Sequence, residues 1–90
     1  MDRGKMVDQT ALLRELHALV KTRSEYRVEW REATESWRTP ALFLEKADRW
    51  LWFFWDNDEM VYVASPGPHA YPTDTLELAG LLAIIDRVLP

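Results

Sequence analysis

The stretch RWLWFFWDNDEMVYVA, residues 49–64, decides the fold. Its first arm, Trp50 to Trp55, has no polar residue in either parity, so both faces of any strand it forms are apolar. The second arm, Met60-Val61-Tyr62-Val63, has the β-branched and aromatic composition that strands favour. Between them Asp56-Asn57-Asp58-Glu59 tolerates turn geometry, and the whole reads as a β-hairpin in which Trp55 pairs with Met60. Because side chains alternate along a strand, that register places Leu51, Phe53, Trp55, Met60 and Tyr62 on one face. Trp50, Trp52, Phe54, Val61 and Val63 fall on the other.

Outward from the hairpin, Ala41-Leu42-Phe43-Leu44-Glu45 reads as a short strand, since Pro40 keeps Thr39 out of helical geometry. Further upstream, the segment Ser24 to Arg38 carries two patterns. Tyr26, Val28 and Trp30 alternate with Arg27, Glu29 and Arg31 as in an amphipathic strand, while Tyr26, Trp30, Ala33 and Trp37 also make a helical stripe. The strand is preferred, because Tyr, Val and Trp favour it and an apolar hairpin needs neighbours to pair with. Downstream, Pro66, Pro68 and Pro72 mark residues 65–72 as a rigid connector outside any ladder or helix interior.

Helices are expected at both ends. The first should run from an N-cap at Asp8 to about Thr22, with Leu12, Leu13, Leu16, Leu19 and Val20 inward and His17 on the solvated side. The last should begin near Thr73 or Asp74, where Asp74 and Glu77 form a capping-box-like pair, and reach about Leu89. Apolar residues cover most of its circumference, which implies deep burial. The expected fold is α+β in two layers: a four-stranded antiparallel meander with N- and C-terminal helices (α-β-β-β-β-α), one domain over 1–90 with 1–7 a flexible leader.

Ninety residues bury only about 60 to 65% of their unfolded surface, but an apolar fraction of 48% with five tryptophans supplies a core without staples. The lack of cysteine excludes disulfides and thiolate metal sites. No segment approaches the roughly 20 apolar residues of a membrane span, and no signal-peptide region opens the chain, so no membrane partner and a cytoplasmic location are expected. The net charge of −4 argues against tracking a phosphate backbone, and nucleic acid is not an expected partner. Eight arginines against three lysines and one asparagine fit a GC-rich bacterial or phage genome.

Little in the chain points to chemistry. His17 and His69 are far apart, with no third ligand at a zinc spacing. Asp56, Asp58 and Glu59 lack the third oxygen ligand and the glycine of a calcium loop. Ser65, His69 and Asp74 have the residue types of a catalytic triad but no nucleophile elbow. Gly4, Gly67 and Gly80 make no phosphate loop, so no metal or cofactor is expected, and no enzyme activity. The acidic row Glu25, Glu29, Glu32 and Glu35, interrupted by Arg27, Arg31 and Arg38, offers an alternative in which the protein mimics nucleic acid and occupies a DNA-binding protein. A small enzyme of unrecognised type is the third reading.

What remains is surplus apolar surface. Two helices joined to opposite ends of a short meander pack most naturally on one of its faces, and the other then needs a cover. Either one helix lies on each face, or the connectors 32–40 and 65–72 fold over the second face, or that face binds a partner. Interfaces favour Trp, Tyr, Phe, Met and Arg, and an exposed apolar patch above roughly 400 Å² is otherwise an aggregation liability. Phe43, Trp50, Trp52, Phe54, Val61 and Val63 are therefore the expected protein-binding residues, for another protein or for a second copy in a homodimer. The leucine-rich face goes to the core. The expected role is that of a non-catalytic binding protein, an accessory factor or inhibitor of phage or mobile-element origin.

Overall fold

The computed structural model describes residues 9–36, 39–56, 59–65, 67 and 69–90. Asp8, the 1–7 segment, Trp37, Asn57 and Asp58 lie outside the described residues, so the first helix cap and the tip of the central turn do too. Helix α1 (Gln9–Val20) leads into strands β1 (Arg27–Arg31), β2 (Ala41–Lys46), β3 (Arg49–Asp56), β4 (Glu59–Ala64) and β5 (Ala70–Pro72), and α2 (Leu78–Val88) follows. The strands form one antiparallel sheet in sequence order. The α+β class and the terminal helices are as expected from the pattern. The sheet, however, has five strands where four were expected.

The hairpin register is the one parity requires, with Trp55 opposite Met60 and Asp56 opposite Glu59. Upstream, the period-two reading describes β1: Val28 and Trp30 are partly buried while Arg27, Glu29 and Arg31 are exposed. The core takes a single parity of the sheet. Leu42 and Leu44 of β2, Leu51, Phe53 and Trp55 of β3, and Met60 of β4 join Leu12, Leu13, Leu16 and Val20 of α1 and Leu81, Ile84 and Ile85 of α2. Each such side chain contributes about 1.5 to 3 kcal/mol on full burial. Both helices thus lie on one face, and two layers result.

The fifth strand comes from the segment read as a connector. Thr73 N–H donates to the Met60 carbonyl at 3.1 Å, and Tyr71 stands opposite Tyr62, so the hydrogen-bonded positions fall at 71 and 73. Pro72 sits between them, opposite Val61, where an antiparallel strand points its N–H away from the ladder. A proline is tolerated there because β5 is an edge strand. The same segment delays α2. Its start is Leu78, not Thr73 or Asp74, because the Thr73 backbone continues the ladder and Asp74 adopts a left-handed φ of 59°. The Thr75 hydroxyl accepts the Glu77 N–H at 3.2 Å, and Glu77 is the N-cap without a side-chain capping bond, so the expected Asp74/Glu77 capping box is not formed.

Two smaller expectations are also corrected. Leu19 is 44% exposed, since only Leu12, Leu13, Leu16 and Val20 point squarely at the sheet, and α2 is less enclosed than expected, with Ala79, Ala83, Asp86 and Arg87 exposed. His17 is not freely solvated. Its ring stacks on Trp30 of β1 at 5.3 Å, while the Arg14 guanidinium lies 4.9 Å from the same indole. Burial first, then the charges of Lys21 and Arg14, lower the His17 pKa from its ordinary 6.5.

That shift sets a pH dependence. Just below about pH 6.5 the unfolded chain binds more protons at this position than the folded one, so its contribution is present above that pH and is lost as the pH falls toward the lowered folded value. Urea midpoints measured at about pH 7.5 and about pH 5.5 should show a decline that His17→Gln reduces. An identical decline in the variant would mean that His17 is not responsible.

Candidate functional site

The face that neither helix covers carries a continuous aromatic band. Phe43 of β2, Trp52 of β3 and Val63 of β4 stand opposite one another on one rung, and Phe54 stands opposite Val61 on another. Trp50 completes the band, opposite Glu45. Phe43 and Trp52 lie in tilted contact with ring centroids 4.7 Å apart, a separation at which aromatic pairs are favourable. All six residues expected to bind a partner therefore share this face. Val61 is buried, and Phe43, Trp50, Trp52, Phe54 and Val63 are each partly buried.

The burial has a local origin. The Ser65 N–H donates to the Trp50 carbonyl and the Ser65 hydroxyl accepts the Trp50 N–H, which extends the β3–β4 ladder by one residue. The chain then turns through Gly67, at φ 41°, over the Trp50 indole. A Cβ at Gly67 would meet Trp50 Cη2 at 3.1 Å, so glycine serves both the left-handed backbone and the close approach. At the opposite side Glu32 and Thr34, just after β1, form a rim. Gly67 thus lies against Trp50, and Glu32 and Thr34 border a groove of about 490 Å³ with Trp50, Trp52, Phe54 and Val63 along it.

Charged side chains border the groove on its β1 flank. Arg31 places its guanidinium 5.3 Å from the Trp52 ring centre, a cation–π distance, and also borders the groove. Arg27 pairs with Glu45 at 2.8 Å and with Glu29 at 3.7 Å, across and along the sheet. Glu32 pairs with Arg14 at 3.6 Å. The acidic row noticed in the sequence is thus partly neutralised by its own arginines. Arg31 and Ala41 were missed as groove residues, although the β1–β2 register, which pairs them beside Phe43, would have located both.

The residues weighed for chemistry are scattered. Ser65 and His69 border one cleft and Asp74 another, so the three do not meet as a triad. Among the described residues no group of three His, Cys, Asp or Glu side chains is placed to hold a metal ion, and no helix is long and apolar enough to cross a membrane. The chain matches no family model, no curated protein and no solved structure with which it was compared.

Proposed function

We propose that this protein acts by binding another protein, without catalysis of its own, and that the groove on the helix-free face receives an apolar segment of that partner. The observation that carries the proposal is the groove of about 490 Å³ running past two tryptophans, a phenylalanine and a valine on that face. Binding sites are typically concave and apolar with a few polar groups at the rim, and Arg31 and Glu32 supply such a rim. Anchor residues of interfaces are enriched in Trp and Arg, the types present here. A second copy is the weaker occupant, because a two-fold contact sets the same patch against itself and would place concavity against concavity. An accessory factor or inhibitor acting in the cytoplasm of a bacterial host is the role that this binding mode and the arginine-rich composition support.

The test is positional. A photo-crosslinking amino acid in place of Val63, at the groove, should yield one adduct of discrete mass in extract of the native host, suppressed by excess unmodified protein. The same group in place of Asp86, on the exposed side of α2, should not. Adducts of equal yield from both positions would remove the groove as the binding site, and an adduct with the mass of two chains would replace the foreign partner by a homodimer.

A further inference from the structure

A second cleft, of about 410 Å³, opens on the helix side of the sheet where the C-terminal turn of α2 meets the β4–β5 edge. It is built from residues distant in sequence: Arg49 at the start of β3, Tyr62 of β4, Ser65 and His69 after it, Tyr71 of β5, and Arg87 in the last turn of α2. All of these carry hydrogen-bond donors, and no Asp or Glu is among the residues that border the cleft. That is unusual in a chain of net charge −4. Among the described residues neither Arg49 nor Arg87 is in an ion pair, whereas Arg14 and Arg27 both are.

The arginines have structural contacts, but these leave donors over. Arg87 Nη2 donates to the Tyr62 hydroxyl at 2.8 Å, which orients the guanidinium and leaves the phenol proton free to be donated onward. Arg49 Nη1 approaches the Val88 carbonyl at 3.4 Å. Two cations near a helix C-terminus suit its dipole, but that end amounts to only about half a negative charge and does not neutralise them. The remaining wall is flat and apolar: Tyr62 and Tyr71 pack with centroids 5.7 Å apart, and Tyr71 is half exposed.

We propose that this cleft binds a small organic anion, with its phosphate or carboxylate group between Arg49 and Arg87 and its apolar body against the two tyrosines. Guanidinium groups recognise both oxyanions through forked, charge-assisted hydrogen bonds, and the tyrosine hydroxyls and His69 add donors at the mouth. The site is independent of the groove on the opposite face, and either can fail without the other.

Phenyl phosphate and benzoate are the probes, with benzyl alcohol as the uncharged control, titrated into the ¹⁵N-labelled full chain at physiological ionic strength. Saturable shifts are expected at the amides of Ser65, Gly67, His69 and Tyr71 with at least one anion and not with the alcohol. The tighter of the two anions identifies the phosphate or the carboxylate as the natural group. Arg49→Gln with Arg87→Gln should weaken binding by about tenfold or more. Should that double variant melt early, Tyr71→Phe, which removes one hydroxyl from a half-exposed ring, should still weaken it about threefold with the fold intact. No saturable shift with either anion, equal shifts with benzyl alcohol, or unchanged affinity in folded variants would overturn the proposal.

Discussion

Phe53→Ala is expected to leave little folded protein at room temperature. Phe53 is fully buried at the centre of the longest strand, between Leu42 of β2 and Tyr62 of β4, and belongs to the cluster that α1 and α2 close from above. Truncating a buried phenylalanine costs about 3 to 5 kcal/mol, from lost transfer energy and from the cavity that rigid neighbours cannot fill. A domain at the small end of the range holds only about 5 kcal/mol or somewhat more in total. Phe53→Leu keeps most of the volume and should stay folded with a loss under about 2 kcal/mol. Circular dichroism and urea unfolding of the two variants check this. A midpoint for Phe53→Ala close to that of the unmodified chain would mean that the core is not organised around β3.

The part of the fold that was legible in the sequence is the part where side-chain parity has only one outcome. Trp50 to Trp55 cannot avoid burying residues on both faces, so the split of Leu51, Phe53 and Trp55 from Trp50, Trp52 and Phe54 followed once Trp55 was paired with Met60. The choice of the leucine side as the core also followed, because Leu42, Leu44 and Leu51 fall together in that register. The fifth strand was hidden by a real rule applied too broadly. Proline cannot donate to a ladder, yet at Pro72 no donor is needed, and only the hydrogen-bond phase set by Thr73 and Met60 reveals it. Likewise Asp74 and Glu77 have capping-box spacing, but spacing says nothing of the left-handed φ at Asp74 that takes it out of the cap.

The two candidate sites differ in how far sequence could reach them. The groove lies on three consecutive antiparallel strands, so its aromatic lining follows from local pairing alone, and only its rim needed the path of the connectors. The arginine-lined cleft joins Arg49, Tyr62, Tyr71 and Arg87 across three strands and a helix. No periodicity relates those positions. The two arginines look like ordinary solvated charges until the packing of α2 against the sheet brings them to one cleft, and what distinguishes them is that no Asp or Glu borders that cleft, which no sequence window can show.

Trp52→Ala should give the opposite outcome to Phe53→Ala, one residue away in the same strand. The Trp52 side chain points to the helix-free face, where it touches Phe43 and lies under Arg31, and it is partly rather than fully buried. Its removal should cost about 1 to 2 kcal/mol of stability, well under the value for a closed core, because solvent replaces part of the lost contact and no sealed cavity forms. The variant should therefore remain folded. If the groove holds a partner, Trp52 is its central anchor, and a hot-spot tryptophan contributes about 2 kcal/mol or more to association, roughly a thirtyfold weaker Kd. Melting of the isolated variant and its affinity for the partner captured through Val63 separate the two effects. Unfolding on the scale of Phe53→Ala would make Trp52 a core residue whose face is closed by the chain itself. A folded Trp52→Ala variant that binds its partner with unchanged affinity would move the interface elsewhere. Good folding with a strong loss of binding is the result that a groove evolved for a partner requires.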